Sequence, residues 1–396
     1  MKILQVNCVY KKGSTGKIVF DIHSELVKKG IESVVCYGRG DKIIEPNVYK
    51  TCGELYSKMN NLWSRFTGLM YGGCGLSTNK LIKIIKKENP NVVHLHCING
   101  YFVNIYRLVN WLKKSGIKTI LTLHAEFMYT ANCGYSFECE KWKTGCGKCP
   151  RNKTETKSLF FDRTHSSWLK MKKAFDGFNN LTVIAVSDWI SKRATQSPIF
   201  EGIAIKTIYN GINLDSFTPV EQEQDEEIVQ KYGISMDKKI ILHVTPSFDN
   251  PIKGGKHFVD LSRALGEDYQ CVIVGAKAQI EGIVTIPFTT NQKELASLYR
   301  KASVFVITSK ADNYPTVCLE ANSCGTPVVG FDVGGVKDTI YTNMGTVVDF
   351  GNVEQVKEKV EEWTNKTISK ETIDGCREKN SRERMAEDYI KLYMSL

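Results

Sequence analysis

The sequence predicts an α/β protein of two domains, each a parallel β-sheet covered by helices on both faces. Three observations carry this. Apolar runs of strand length alternate with amphipathic helical stretches along the whole chain, and they fall into two sets. At 396 residues the chain is long for a single core. Charge divides the same way: residues 1–218 hold 32 Lys and Arg against 16 Asp and Glu, whereas the remainder holds 21 against 27.

In the first half the strand-like runs are Ile3–Val6, Ser33–Tyr37, Val92–His96, Thr119–Leu123, Val183–Val186 and Ile205–Tyr209. The second half supplies Ile240–Val244, Cys271–Gly275, Val304–Thr308, Pro327–Phe331 and Gly345–Val348. Asn210-Gly211-Ile212-Asn213 through Phe217-Thr218-Pro219, followed by an acidic stretch, reads as the linker. Two sets of this kind imply two Rossmann-like domains.

Hydrophobic content of 42% with 24% charged residues is that of a soluble globular chain. No apolar run reaches the roughly 20 residues that a spanning helix needs. MKILQVNCVY turns polar too soon for a signal peptide and reads as a first strand, so a cytoplasmic location is expected. The cysteines number thirteen, and Cys36, Cys97, Cys271 and Cys318 sit singly in apolar contexts, so buried, reduced thiols are expected there. The basic first half suits nucleic acid, anionic lipid or a phosphorylated substrate. No nucleic-acid module accompanies the charge, so no nucleic-acid partner is expected.

Lys12-Gly13-Ser14-Thr15-Gly16-Lys17 follows the first strand and opens the helix 18–29. It is not the phosphate loop of nucleotide hydrolases: Lys11 stands where that motif needs its first Gly, and Ile18 where it needs Ser or Thr. Trp63, Phe66, Leu69, Met70 and Tyr71 precede Lys80, Lys83, Lys86 and Lys87, a combination that suits either a helix on an anionic membrane surface or an ordinary helix pair with a solvated lysine face. His94 and His96 share one strand face, and His124 ends the next strand; packed, hydrogen-bonded roles compete with polar-site roles for the first two. Cys133, Cys139, Cys146 and Cys149 form a compact knuckle after His124 and Glu126. Four thiolates would hold a structural zinc with no open position. Two disulfides or reduced thiols are the other readings.

Ser309 to Gly335 carries the most functional information. Strand, loop, helix, turn and strand follow one another there, with Asp312 eight positions before Glu320. Loops at the carboxyl ends of parallel strands bind ligands in open α/β sheets. Free N–H groups at a helix start hold phosphate. Carboxylates repel a diphosphate, so Asp312 and Glu320 suit neutral sugar hydroxyls, and the set suggests a nucleotide-sugar site.

This string resembles the donor-site signature of retaining glycosyltransferases of the GT-B fold, family four, in which an acid, seven residues, Glu, a small-residue helix and Gly-Thr-Pro-Val-Val follow in order. Asp312 stands where Glu is usual. Asn210-Gly211-Ile212-Asn213 with Phe217 is similar to the family's hinge, Lys253-Gly254 to the entry of its first donor-domain helix, and residues 385–393 to its last helix. The resemblance implies two Rossmann-like domains facing across a cleft: 1–215 on the acceptor side, 216–376 on the donor side, and a C-terminal helix over 377–396 that crosses back. It implies Glu320 on the ribose, Asp312 on the transferred sugar, and the backbone of Thr316, Val317 and Cys318 on the diphosphate. Lys253, with Lys256 one turn on, would supply the cation, Gly16 a close approach to the diphosphate, and His124 a contact near the sugar. Family members commonly place an Arg about six residues before that Lys; none occurs here between Tyr232 and Arg263.

No Asp-x-Asp motif offers ligands for a catalytic metal. The expected activity is sugar transfer from a UDP- or GDP-sugar to a glycan or lipid-linked acceptor, with retention and without a catalytic cofactor, at or near the inner face of the cell membrane. A nucleotide-sugar epimerase and a non-catalytic sugar-binding subunit are the competing readings.

Overall fold

The computed structural model describes residues 1–396 and divides them into two compact units, Met1–Tyr209 with Met385–Leu396, and Asn210–Arg384. The linker therefore breaks at Tyr209/Asn210 rather than at 215, and the terminal segment joins the first unit from Met385 rather than from 377.

The first unit holds β1 (Lys2–Asn7), α1 (Gly13–Lys28), β2 (Glu32–Tyr37), β3 (Val48–Lys50), α2 (Glu54–Thr67) and α3 (Gly75–Glu88). Then come β4 (Val92–Leu95), α4 (Ile105–Ser115), β5 (Lys118–Leu123), α5 (Phe127–Thr130), α6 (Thr164–Phe175), β6 (Leu181–Ala185), α7 (Asp188–Ala194) and β7 (Ile205–Thr207). The second unit runs α8 (Gln224–Lys231), β8 (Lys239–Val244), α9 (Gly255–Ala264), β9 (Tyr269–Val274), β10 (Ile283–Ile286), α10 (Gln292–Lys301) and β11 (Val304–Ile307). It continues with α11 (Thr316–Ser323), β12 (Val328–Phe331), α12 (Val336–Thr339), β13 (Gly345–Val348), α13 (Val353–Trp363) and α14 (Lys370–Asn380); α15 (Arg382–Met394) ends the chain.

Both sheets are parallel and doubly wound, in the orders β3-β2-β1-β4-β5-β6-β7 and β10-β9-β8-β11-β12-β13. Every expected strand is present. The two that periodicity did not flag, β3 and β10, occupy the same edge of their respective sheets. Strand order reverses between β1 and β4 in one sheet and between β8 and β11 in the other, the two places where such sheets open a crevice.

Burial follows the apolar pattern. Ile3, Ile18, Ile22, Val92, Ile120 and Ile184 make one core with Met385, Tyr389, Leu392 and Tyr393 of α15, which is how the last helix is held to the first unit. Ile241, Phe258, Leu261, Ile273, Val306 and Val329 centre the other. Each such side chain contributes about 1.5–3 kcal/mol on burial. Cys36, Cys271 and Cys318 are buried and free, and Cys97 is free and half-buried.

One expectation is corrected here. Leu69, Met70 and Tyr71 are buried, not arrayed with Trp63 and Phe66 on a surface helix. The chain leaves α2 through the left-handed Gly68 and turns inward, where Tyr106 Oη donates to the Met70 carbonyl at 2.8 Å. No helix is long and apolar enough to cross a membrane.

Candidate functional site

The second unit gathers its polar groups at the switch point between β8 and β11. The loop after β8 ends in Lys253-Gly254, and the loop after β11 carries Asp312. Lys253 Nζ donates to Asp312 Oδ2 at 2.6 Å, with both side chains only partly shielded from solvent. Backbone holds the two loops together. Lys310 N–H donates to the Ile252 carbonyl at 2.7 Å, and Thr308 Oγ1 donates to the Gly254 carbonyl at 2.9 Å.

Gly254 is left-handed (φ +70°), and a Cβ there would lie 1.7 Å from the Thr308 carbonyl oxygen; only glycine fits. Gly334 (φ +57°) repeats the device on the other side of Asp312, whose carbonyl oxygen a Cβ would approach to 2.0 Å.

Beyond that loop, α11 starts without a side-chain cap, because Pro315 fills the N-cap position. The Thr316 and Val317 amides make no hydrogen bond within the chain, and both residues are partly exposed. Cys318 differs from the expectation: its amide already donates to the Pro315 carbonyl at 3.2 Å, and its thiol is fully buried. Two amides, not three, remain available. One turn on, Tyr299 Oη donates to Glu320 Oε2 at 3.2 Å and fixes that carboxylate's orientation. Lys256 stands exposed in the first turn of α9.

Sequence reasoning missed three groups here. Tyr299 anchors Glu320 from a neighbouring helix, a contact that no local pattern encodes. Asn313 is buried with Oδ1 unpartnered, although it sits in the string already singled out. His243, on β8, is buried; its Nδ1 meets the Val306 carbonyl oxygen at 2.9 Å, while Nε2 has no partner. Burial, aided by the nearby Lys253 charge, pushes the His243 pKa down to about 4.

In the first unit, the carboxyl ends of β4 and β5 carry stacked, neutral imidazoles. His94 bonds Tyr393 Oη and Thr122 Oγ1, both at 2.7 Å, and its ring lies 3.8 Å from that of His96. His96 Nδ1 and His124 Nε2 are 3.2 Å apart. Burial lowers the pKa of all three, that of His124 to about 4. His94 and His96 are thus packed, hydrogen-bonded strand residues, and His124 is the outermost, with no bond within the chain at Nδ1. Gly16 is buried, and its carbonyl accepts from Lys11 N–H at 3.1 Å, so it closes the loop from within, whereas Gly13 (φ +65°) is exposed.

The cysteine loop is organised by Trp142, which is fully buried. Trp142 Nε1 donates to the Cys139 carbonyl at 2.8 Å, and Trp168 Nε1 donates to the Trp142 carbonyl at 2.8 Å. Glu126, buried after His124, accepts from the Ser136 amide at 2.9 Å and from Arg193 Nε at 3.3 Å. That makes it a structural node rather than a group open to ligand. Cys133, Cys139, Cys146 and Cys149 are free, and no three His, Cys, Asp or Glu side chains are arranged as metal ligands. Burial pushes the Cys133 and Cys146 thiols up, the latter to about 12. As arranged, these four cysteines do not present a tetrahedral ligand set.

Two doubly wound parallel sheets, one with an ion pair and an uncapped helix start at its switch point, define a two-domain α/β ligand-binding enzyme fold. Residues 15–216 match Glycosyltransferase Family 4, and residues 224–387 match Glycosyl transferases group 1. The chain belongs to glycosyltransferase family 4 and is a glycosyltransferase of the GT-B fold. WcaC of Escherichia coli K12, named as a colanic acid biosynthesis glycosyl transferase, is 24% identical over the full length of both chains. The N-acetyl-alpha-D-glucosaminyl L-malate synthase of Bacillus anthracis is 19% identical over 98% of this chain and 95% of its own. Among solved structures, Anabaena HepE in complex with UDP and glucose superposes with a TM-score of 0.66 at 14% identity, covering all of both chains.

Proposed function

We propose that the chain transfers a sugar from a nucleotide-diphosphate sugar to a glycan or lipid-linked acceptor in bacterial surface-polysaccharide assembly, with retention and without a catalytic metal. The observation that carries this is the Lys253–Asp312 pair beside the open amides of Thr316 and Val317 and the anchored Glu320. A diphosphate set on those amides meets one cation and a helix start, the two devices that neutralise a leaving phosphate without a metal. Glu320 then takes the ribose hydroxyls and Asp312 those of the sugar. HepE with UDP and WcaC in colanic acid biosynthesis support the donor class and the setting.

In the transfer, the anomeric C–O bond to the diphosphate breaks and an acceptor oxygen bonds the same carbon from the same face. The acceptor proton passes to the departing phosphate oxygen. Lys253 answers the charge that grows on that phosphate. His124, neutral at pH 7, offers a hydrogen bond to a hydroxyl rather than a proton.

Thermal shift with UDP, GDP and their sugars tests the donor site. Stabilisation by one nucleotide family is expected and should vanish in Glu320→Ala, while Asp312→Ala should mainly lose discrimination between sugars. Unchanged donor binding in Glu320→Ala sinks the assignment. Zinc on the four cysteines is a separate proposal that requires the thiols to draw together and ionise. Metal analysis of the purified chain decides it, with about one zinc per chain supporting it and a trace rejecting it.

A further inference from the structure

Helix α2 is inverted. Its only buried residues are Ser57 and Ser64. Ser57 Oγ donates to the Gly100 carbonyl at 3.1 Å, and Ser64 Oγ to the Leu69 carbonyl at 3.2 Å. The opposite face presents Leu55, Met59, Leu62, Trp63 and Phe66, each between 42% and 74% exposed. Spacings of four, three, one and three place them on one stripe over three turns. A helix of a soluble domain points its hydroxyls out and its leucines in; this one does the reverse, and its serine hydrogen bonds fix it in that orientation.

The stripe is extended at both ends. Leu159 N–H donates to the Arg65 carbonyl at 2.8 Å, which seats the 158–161 loop on the end of α2 and stacks Phe160 on Phe66 with centroids 5.8 Å apart. Phe160 and Phe161 are themselves 68% and 53% exposed. At the other end, Tyr56 Oη accepts from the Leu76 amide at 3.2 Å, joining α2 to the start of α3, where Leu76 is exposed. Scattered exposed hydrophobics are ordinary, but a contiguous run of this size marks an interaction surface.

Charge identifies what the surface meets. Leu76, Asn79, Lys83 and Lys86 follow one face of α3. The last three line an open groove of about 520 Å³ with Arg107, Trp111 and Lys114 of α4. The two helices contain one acid between them, Glu88, and it is engaged by Tyr49 and Lys2. Lys83, Lys86, Arg107 and Lys114 therefore face one another without a carboxylate partner. Lys58 on α2 and Lys153, Lys157 and Arg163 around the aromatic loop add exposed cations along the stripe. Apolar and aromatic side chains rimmed by an excess of cations, with Asp162 the exposed acid beside Phe161, match the interface of an anionic bilayer, where rings sit at headgroup depth and lysines meet phosphate.

We propose that the first unit docks on an anionic lipid bilayer, with the α2 stripe and Phe160 inserted and headgroup phosphates held in the α3/α4 groove. This deepens the acceptor side of the function proposed above, since a lipid-linked acceptor lies at such a surface. It is tested without donor, so failure of either reading leaves the other standing.

The test is sedimentation of the full chain with phosphatidylglycerol/phosphatidylcholine vesicles and with pure phosphatidylcholine vesicles, at low and high salt. Binding at least tenfold tighter to the anionic vesicles, falling with salt, is expected. Leu62→Ser with Phe66→Ser should cut partitioning at least tenfold at either salt. Lys83→Gln, Lys86→Gln and Arg107→Gln together should remove most of the salt-sensitive part. Both sets alter exposed side chains, so melting temperature and nucleotide binding should stay at wild-type values, which separates lost docking from lost folding. Wild-type protein left in the supernatant with anionic vesicles overturns the proposal. So does a serine variant that binds vesicles as well as wild type, or one whose only change is loss of self-association, which would assign the stripe to a second copy.

Discussion

The two sheets share a strand order, yet their carboxyl ends hold opposite chemistry. At the β8/β11 switch point the groups are charged and partly open: Lys253 on Asp312, two uncommitted amides, and Glu320 steered by Tyr299. At the ends of β4 and β5 they are neutral and interlocked: His94, His96 and His124 in contact, with Tyr389 and Tyr393 of α15 around His94. One topology thus makes two kinds of surface. The first presents charge at a partly open loop; the second presents buried, neutral hydrogen-bonding groups. Fold alone does not assign work to a sheet end.

The largest expected effect tests that division directly. Lys253→Ala should lower kcat/KM for the preferred nucleotide sugar by roughly 100- to 1,000-fold, the usual cost of losing a preorganised group that meets transition-state charge. His124→Ala should cost about tenfold, the scale of one hydrogen bond. Steady-state kinetics on both variants reads the comparison, and a reversal of the two effects breaks it.

Acid separates the two ends next. His94, His96 and His124 in the first unit and His243 in the second are held neutral, their pKa values lowered by burial. Well above pH 6.5, from about pH 7.5, neither folded nor unfolded imidazole carries a proton, so these groups leave stability flat. As pH falls towards 4 the unfolded chain takes up protons that the folded chain refuses, and stability drops. For His124, with a pKa of about 4, the drop is of order 3 kcal/mol. His23, which burial also holds below its usual value, makes four such groups in the first unit against one, so the first unit should open first. Peptide-resolved hydrogen exchange between pH 7 and pH 4.5 checks this, and equal loss of protection in both units refutes it.

How much of this was legible beforehand depends on the range of the interactions. Strand identity is local, so runs such as Val304–Ile307 and Cys271–Val274 announced themselves; β3 and β10, short edge strands with partly exposed residues, lacked the apolar run that buried strands need. Asp312 and Glu320 were readable because loop, helix and turn chemistry lie close in sequence, whereas Lys253 was readable only through the family resemblance. Their ion pair and the Tyr299 anchor were not, since they join residues 59 and 21 positions apart. The inversion of α2 was hidden for a related reason. Its periodicity reveals an apolar face, but which face is buried was decided in part by the Gly100 carbonyl, 43 residues from the Ser57 hydroxyl it accepts from.

The smallest effect isolates what close approach adds at the charged end. Gly334 and Gly13 are both left-handed, at φ +57° and +65°, so alanine pays a similar backbone penalty at either, about 1–2 kcal/mol. The surroundings differ. At Gly13 a Cβ meets nothing within 4 Å, whereas at Gly334 it would lie 2.0 Å from the Asp312 carbonyl oxygen. Gly13→Ala should therefore show only the backbone penalty, read as a shift in melting temperature. Gly334→Ala should add a loss of donor affinity, because the loop holding Asp312 against Lys253 must move to admit the methyl. Isothermal titration with the preferred nucleotide sugar distinguishes them. If Gly334→Ala binds as tightly as Gly13→Ala, the Asp312 loop yields without disturbing the ion pair, and the rigidity claimed for the charged end is lost while its charge remains.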